Sequence, residues 1–302
     1  SPSETATEEK PLAYFGEITY TAEGTYEYTI TEVDSGIPGV TYDTSAHEVV
    51  VTVTENTEDN KLIAEVKYDG EESLIITNAY TEATRYPLWI GGTQVTSHNA
   101  ADVFGDGKVS YDPETNTLTL NDYTYEGAGY DHYGDVWAIG SRDERPLKLV
   151  LEGESAVSVT GAETDYSYGV YTAGDLEISG TGSLTATGGE AIISSYGVHT
   201  GSLTVNGGSL TATGGTAEYS SYGVYLMDHT GTIEVSGSLT ATGGTAKYRS
   251  YGVHATGSIT VPGSLTATGG TSGGDSYGVY ANGSITVSGS LHATGDNYGV
   301  YA

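Results

Sequence analysis

Six Tyr-Gly-Val tripeptides begin at Tyr168, Tyr196, Tyr222, Tyr251, Tyr277 and Tyr298, and each is followed by a ring: Tyr171, His199, Tyr225, His254, Tyr280 and Tyr301. On a short strand these six positions face outward, and strands stacked about 4.8 Å apart would line them into a stripe. Flat ring faces with hydroxyl and imidazole edges suit the faces and hydroxyls of sugars, so a glycan is one expected ligand. The same stripe could equally be an aromatic ladder that only stabilises itself. His199 and His254 would lie two coils apart, too far for one zinc ion.

A second periodic array is Thr185/Thr187, Thr211/Thr213, Thr240/Thr242, Thr266/Thr268 and His292/Thr294. A flat Thr-x-Thr surface has the spacing of ice-binding solenoids, although threonine is also simply a good strand residue. Asp102-Val-Phe-Gly-Asp106-Gly107 echoes a calcium loop, but Phe104 occupies a ligand position and the closing glutamate is misplaced. Asp165, Asp175, Asp228 and Asp275 are isolated carboxylates, so no metal site is assigned and no cofactor is implied. Calcium would need a repeated Asp-x-Asp pattern, which is missing. Across the regular coils only Lys247 and Arg249 are basic, and no paired carboxylates recur on neighbouring rungs. The expectation is a non-enzymatic protein.

The elements that carry these residues follow from the repeat. Successive Tyr-Gly-Val spacings are 28, 26, 29, 26 and 21 residues. Between them come a segment such as Leu203-Thr-Val205 and then Ser-Leu-Thr-Ala-Thr-Gly-Gly, starting at Ser183, Ser209, Ser238 and Ser264. Three short strands per unit predict a right-handed, three-sided parallel β-helix over 136–302, its first coil, 136–160, being less regular. The alternation points Val170, Val198, Val224, Val253, Val279 and Val300 inward. Leu203/Val205 and Leu210/Ala212, with their equivalents in other coils, complete the interior. Variable spacing is expected at one corner, where 190–195, 216–221, 245–250 and 271–276 differ in sequence. Residues 86–135 should cap the open end of the solenoid, with a strand at 117–121.

Composition fits stacked coils better than one large core. The 302 residues include 44 Gly and 26 Tyr, and only 37% are hydrophobic. Ten Lys+Arg against 40 Asp+Glu give a formal charge of −30, which repels nucleic acid and anionic lipid. No run of about 18 apolar residues is present, so no membrane insertion is expected. There is no cysteine. The chain opens with Ser1-Pro2-Ser3 and stops at Tyr301-Ala302 inside a repeat, as expected of part of a longer precursor.

Ahead of the solenoid, residues 12–81 alternate as strands at 17–21, 26–33, 48–54, 61–68 and 73–80, joined by Gly, Asp and Asn turns. That pattern predicts a small antiparallel β-sandwich-like domain, with 1–11 a tail and 82–85 a linker. The whole is all-β. Phe15-Gly-Glu-Ile-Thr-Tyr-Thr-Ala-Glu-Gly-Thr-Tyr-Glu-Tyr-Thr-Ile-Thr-Glu32, Gly39-Val-Thr-Tyr-Asp43, Val49–Thr54 and Ile76-Thr-Asn-Ala-Tyr80 follow in order. This stretch resembles the Gram-positive pilin isopeptide-linkage domains. The resemblance implies a spontaneous Lys–Asn cross-link, with Glu32 as the catalytic acid and Asn78 as the acceptor. The family's reactive lysine lies on a strand before the Phe-Gly motif, where this chain has only Lys10, so the lysine partner is not identified. Either a first strand is missing, or another copy or a neighbouring chain supplies it.

The coils, with Tyr86-Pro-Leu-Trp-Ile-Gly-Gly-Thr-Gln-Val-Thr96 and 107–120 before them, resemble carbohydrate-binding parallel β-helix surface proteins of Clostridia and gut Firmicutes. Together the resemblances imply an extracellular structural or adhesive protein on a Gram-positive cell surface, a stalk or filament-like subunit. A host or dietary glycan is the alternative partner through the Tyr/His stripe.

Overall fold

The computed structural model describes residues 13–161, 164–228 and 230–302. The expected tail 1–11, with Lys10, lies outside them. The chain divides into two compact units, Ser1–Glu82 and Ala83–Ala302.

In the first unit β1 (Gly24–Thr31), β3 (Ala46–Asn56) and β4 (Lys61–Tyr68) form an antiparallel sheet with β3 central, while β2 (Val40–Thr41) pairs with β5 (Ala79–Tyr80). The period-2 pattern of β3 buries Val49, Val51 and Val53, on which Tyr20, Tyr26, Ile30 and Tyr68 pack. On the same face Tyr28, Leu62 and Val66 stay more than a third exposed. The expected small antiparallel domain is thus formed by a three-stranded sheet and a two-residue ladder, with strand bounds that differ from the expected ones. A strand requires a hydrogen-bonding neighbour. Among the described residues, 17–21 find none, although Tyr20 packs on Tyr26, and 73–80 contributes only its last two residues.

The second unit is a parallel β-solenoid of three sheets. On the first face the strands Tyr166–Thr172, Ser194–Thr200, Ser220–Leu226, Arg249–Ala255, Asp275–Ala281 and Tyr298–Tyr301 stack in sequence order. Val170, Val198, Val224, Val253, Val279 and Val300 pair one to the next as a single column. The first five are fully buried. The second face stacks Leu176/Ile178 on Leu203/Val205, Ile233/Val235, Ile259/Val261 and Ile285/Val287. The third stacks Leu184/Ala186 on Leu210/Ala212, Leu239/Ala241, Leu265/Ala267 and Leu291/Ala293. Narrow coils cannot hold larger residues at the alanine positions, because the opposite strand is a few ångströms away.

Glycine follows each tyrosine of the Tyr-Gly-Val unit for the same reason. A Cβ at Gly197 would meet only backbone, including Gly223 O at 2.7 Å and Ala212 C at 2.7 Å. The first and third faces approach too closely there for any side chain.

The corner between these faces is held by a polar ladder. Ser195, Ser221 and Ser250 are fully buried. The Ser195 hydroxyl donates to Gly189 O (2.7 Å) and accepts from Gly215 N (2.8 Å). Ser221 repeats this with Gly215 O and Gly244 N, and Ser250 with Gly244 O and Gly270 N. One hydroxyl thus satisfies a carbonyl of its own coil and an amide of the next. A Ser221→Ala chain should lose about 1–3 kcal/mol, since both backbone groups are left buried and unpaired. Urea unfolding, with an exposed Thr→Ala change as reference, measures it.

The length variation expected at this corner is confined to the last coil. Stretches 190–195, 216–221, 245–250 and 271–276 are equal in length, and Ala191, Ala217, Ala246 and Ser272 form a parallel bridge ladder through them. The spacing also changes at the other two corners, as between Leu226 and Ile233 in the 29-residue coil, whereas the 21-residue coil is shortened at this one: three residues separate Thr294 from Tyr298, against eight between Thr268 and Tyr277.

At the N-terminal end of this unit, β6 (Arg85–Ile90) runs antiparallel to the strand Asp135–Ser141 and to β7 (Thr93–Thr96). β8 (Val109–Asp112) runs antiparallel to β9 (Thr117–Asn121), which pairs in parallel with Leu147–Glu152. Two of the three sheets therefore end in an antiparallel hairpin. β6 begins at Arg85, inside the stretch expected as linker.

Candidate functional site

Two sites can be built from these elements. The first lies in the front unit, where β1 delivers Glu32 just past its C-terminal end and the segment before β5 delivers Asn78. The Asn78 amide Nδ2 donates to Glu32 Oε1 at 2.7 Å. Sequence reasoning did not anticipate the third member, the backbone N–H of Asp43, which donates to Glu32 Oε2 (3.2 Å) and to Asn78 Oδ1 (3.3 Å). An acid thus sits on the nitrogen of the carboxamide and a fixed donor on its oxygen. That is the arrangement needed when a nucleophile adds to the carboxamide carbon: charge develops on the oxygen and the nitrogen must leave.

The turn carrying Asp43 is itself pinned. Asp43 accepts from Ser45 N (2.8 Å) and meets His47 Nε2 at 3.1 Å, while His47 Nδ1 lies 2.7 Å from Asp69. The Asp69 carboxylate raises the His47 pKa above the usual histidine value. Glu32 is half-buried and Asn78 exposed, so the described residues do not enclose the pair. Lys61 pairs with Asp59 (3.0 Å), and Lys67 with Glu65 (3.3 Å) and Glu72 (3.9 Å).

Residues 1–81 match the FctA family model, described as a Spy0128-like isopeptide containing domain. The match covers the front unit and none of the coils. Neither a curated protein nor a solved structure matches the chain. Glu32, Asn78 and the Asp43 amide all lie within the matched residues.

The second site is the aromatic face of the solenoid. Tyr171, His199, Tyr225, His254, Tyr280 and Tyr301 form one column, with ring centroids 4.9–5.5 Å apart and near-parallel planes. Beside it runs a column not foreseen from sequence: Tyr168, Tyr196, Tyr222, Tyr251, Tyr277 and Tyr298, at 4.9–5.1 Å. The two columns meet edge to face, as in Tyr196 against His199 at 4.9 Å. The signal for the second column was the Tyr of every Tyr-Gly-Val. Trp137 closes the top by stacking on Tyr171 at 5.1 Å, its indole lying over Gly140, where any side chain would collide.

In this geometry a sugar on the stripe would meet ring edges rather than ring faces. Tyr171, His199, Tyr225, His254 and Tyr280 each have both ring faces covered by neighbours. What the columns offer solvent is edges. Burial pushes the Tyr168, Tyr196 and Tyr251 phenols up and lowers His199 and His254 to about 4, so all are neutral near pH 7.

The threonine array is also brought into register, Thr211 on Thr240 on Thr266, with His292 interrupting it in the last rung. The calcium-like loop is a turn. Asp102 accepts from Gly105 N (2.9 Å), Asp106 N (3.1 Å) and Gly107 N (2.8 Å), and Phe104 stacks on Tyr123.

Proposed function

We propose that this chain is a structural piece of a Gram-positive surface appendage, a stalk or pilus-like filament. In this reading its FctA-like unit forms a Lys–Asn amide and its solenoid serves as a stiff spacer. The observation that carries the reading is the 2.7 Å pairing of Asn78 with Glu32 beside the Asp43 amide, in the unit that matches the isopeptide family. A lysine Nζ adds to the Asn78 Cγ, the Asp43 N–H supports the oxygen as charge develops, and Glu32 relays the amine proton to the departing nitrogen. The new C–N bond replaces the old one, and ammonia leaves. The spacer role draws support from the ladders that run from coil to coil, each coil adding about 4.8 Å of length with its strands hydrogen-bonded to those of the next.

Intact mass and denaturing electrophoresis of the full chain test the reading. Either a monomer lighter by about 17 Da or denaturant-resistant multimers lighter by that amount per junction is expected. The first outcome would assign Lys10 or another lysine of the same chain, and the second a lysine from a second copy. Both should vanish in Glu32→Ala and Asn78→Ala. A full-mass monomer with no covalent multimer, even after long incubation at high concentration, would count against cross-linking.

A further inference from the structure

The variable corner holds, unlike the closed columns, tyrosines that are about half exposed. Tyr219 and Tyr248 occupy equivalent places on successive coils, immediately before the ladder positions Ser220 and Arg249. Their centroids are 5.4 Å apart with planes tilted by 32°, and the residues are 52% and 49% exposed. In the next coil the equivalent residue is Gly274, followed by Asp275, which pairs with Arg249 in the ladder. No ring follows Tyr248 in the stack, so the series breaks off into a recess. Tyr219, Ser220, Tyr248, Arg249, Gly274 and Asp275 line this recess, whose volume is about 470 Å³. Ligand sites commonly fall between about 300 and 1,000 Å³.

The charge there is as unusual as the shape. Lys247 and Arg249 are the only basic residues of the regular coils in a chain of formal charge −30. Among the described residues neither enters an ion pair. Lys247 Nζ lies 5.5 Å from the Tyr248 ring centre, and Arg249 is exposed at the recess.

We propose that this recess binds an acidic sugar, a pyranose bearing one carboxylate such as a hexuronate or a sialate. The sugar ring lies on the open face of Tyr248, the carboxylate takes two parallel hydrogen bonds from Arg249, and Lys247 adds charge. Hydroxyls donate to the Asp275 carboxylate and exchange hydrogen bonds with Ser220. Asp275 also sets the charge of the ligand: a second carboxylate-like group in the recess opposes a dianionic phosphate ester, and the acidic surface around it repels long polyanions. A single negative charge on a hydroxyl-rich ring suits Tyr248, Arg249, Asp275 and Ser220 together.

Calorimetric or saturation-transfer titration of the full chain tests this with methyl glucuronide and N-acetylneuraminic acid. Methyl glucoside serves as the neutral match and glucose 6-phosphate as the dianion. Saturable binding of at least one acidic sugar at millimolar concentration is expected, with methyl glucoside and the phosphate at least about tenfold weaker. Arg249→Gln and Tyr248→Ala should each weaken it by about tenfold or more, while Tyr225→Phe in the closed column leaves it unchanged. Which acidic sugar saturates separates a uronate from a sialate site. No saturation by either at about 10 mM, equal affinity for methyl glucoside, tighter binding of the phosphate, or an Arg249→Gln chain that binds as before would each overturn the proposal. Arg249 is exposed, so a matching unfolding curve for Arg249→Gln separates loss of binding from loss of fold.

Discussion

A Gly223→Ala chain is expected to lose about 3 kcal/mol of solenoid stability and to split its unfolding into two steps. A Cβ on Gly223 would fall 2.5 Å from Thr242 N, 2.6 Å from Gly252 O and 2.9 Å from Ala212 O. All three are backbone atoms of neighbouring strands, two of them in hydrogen-bonded ladders, so no flexible side chain can swing aside. Relief requires prising the first face from the third, which also opens the Ser221 bonds to Gly215 and Gly244. In a solenoid each coil is stabilised by its neighbours, so a damaged middle rung uncouples the coils on either side. Urea titration followed by tyrosine fluorescence measures both the lowered midpoint and the second step. Thr240→Ala, on the solvent face of the same coil, should shift the midpoint by about 0.5 kcal/mol or less.

Mild acid should destabilise the same unit before the bulk of the carboxylates titrate. His199 lies between Tyr171 and Tyr225 and against the edges of Tyr168 and Tyr196; His254 lies between Tyr225 and Tyr280 and against Tyr222 and Tyr251, with Arg249 nearby. Burial lowers both from 6.5 to about 4, and the Nδ1 of each is buried without a partner. Between those values the unfolded chain holds protons that the folded chain refuses, so stability rises with pH across that window. It is complete above about pH 6.5, falls as the pH is lowered, and levels off below about 4. Each unit of separation is worth about 1.4 kcal/mol per histidine, so the pair should cost several kcal/mol by pH 4.5. Because tyrosine already fills this position in neighbouring coils, the His199→Tyr, His254→Tyr double variant keeps the stack. Its urea midpoint should change far less between pH 7.5 and 5.0 than that of the parent. Equal slopes would show that the imidazoles are solvated.

The coils were legible because a short period repeats nearly unchanged: one reading of Leu203-Thr-Val205 places five equivalent pairs at once. The partner column was not legible, because alternation from Val170 assigns Tyr168 to the interior. A local break at Gly169, where the first face touches the third, turns that tyrosine outward instead. Whether the rings of the Tyr/His stripe offered faces or edges depended on this second column and on the tilt of each ring, which no spacing records. In the front unit, alternation identified β1, β3 and β4, missed the two-residue β2, and set a strand at 17–21, which pairs as a strand with none of the described residues. Glu32 and Asn78 came from motif resemblance. The Asp43 amide could not, because a backbone donor has no residue type.

Everything rests on equivalent strands lying in register from coil to coil. The chain has no cysteine, so paired cysteines can report register directly. Thr211 and Thr240 are ladder partners on the outer face, whereas Thr242 lies one pleat further along. Strand spacing places the first pair within the 4.4–6.8 Å Cα separation that a disulfide spans, and the diagonal pair at about 7–8 Å. Under mild oxidation Thr211→Cys with Thr240→Cys should close quantitatively, and Thr211→Cys with Thr242→Cys should remain reduced. Preferential closure of the diagonal pair, or of neither, would contradict the account.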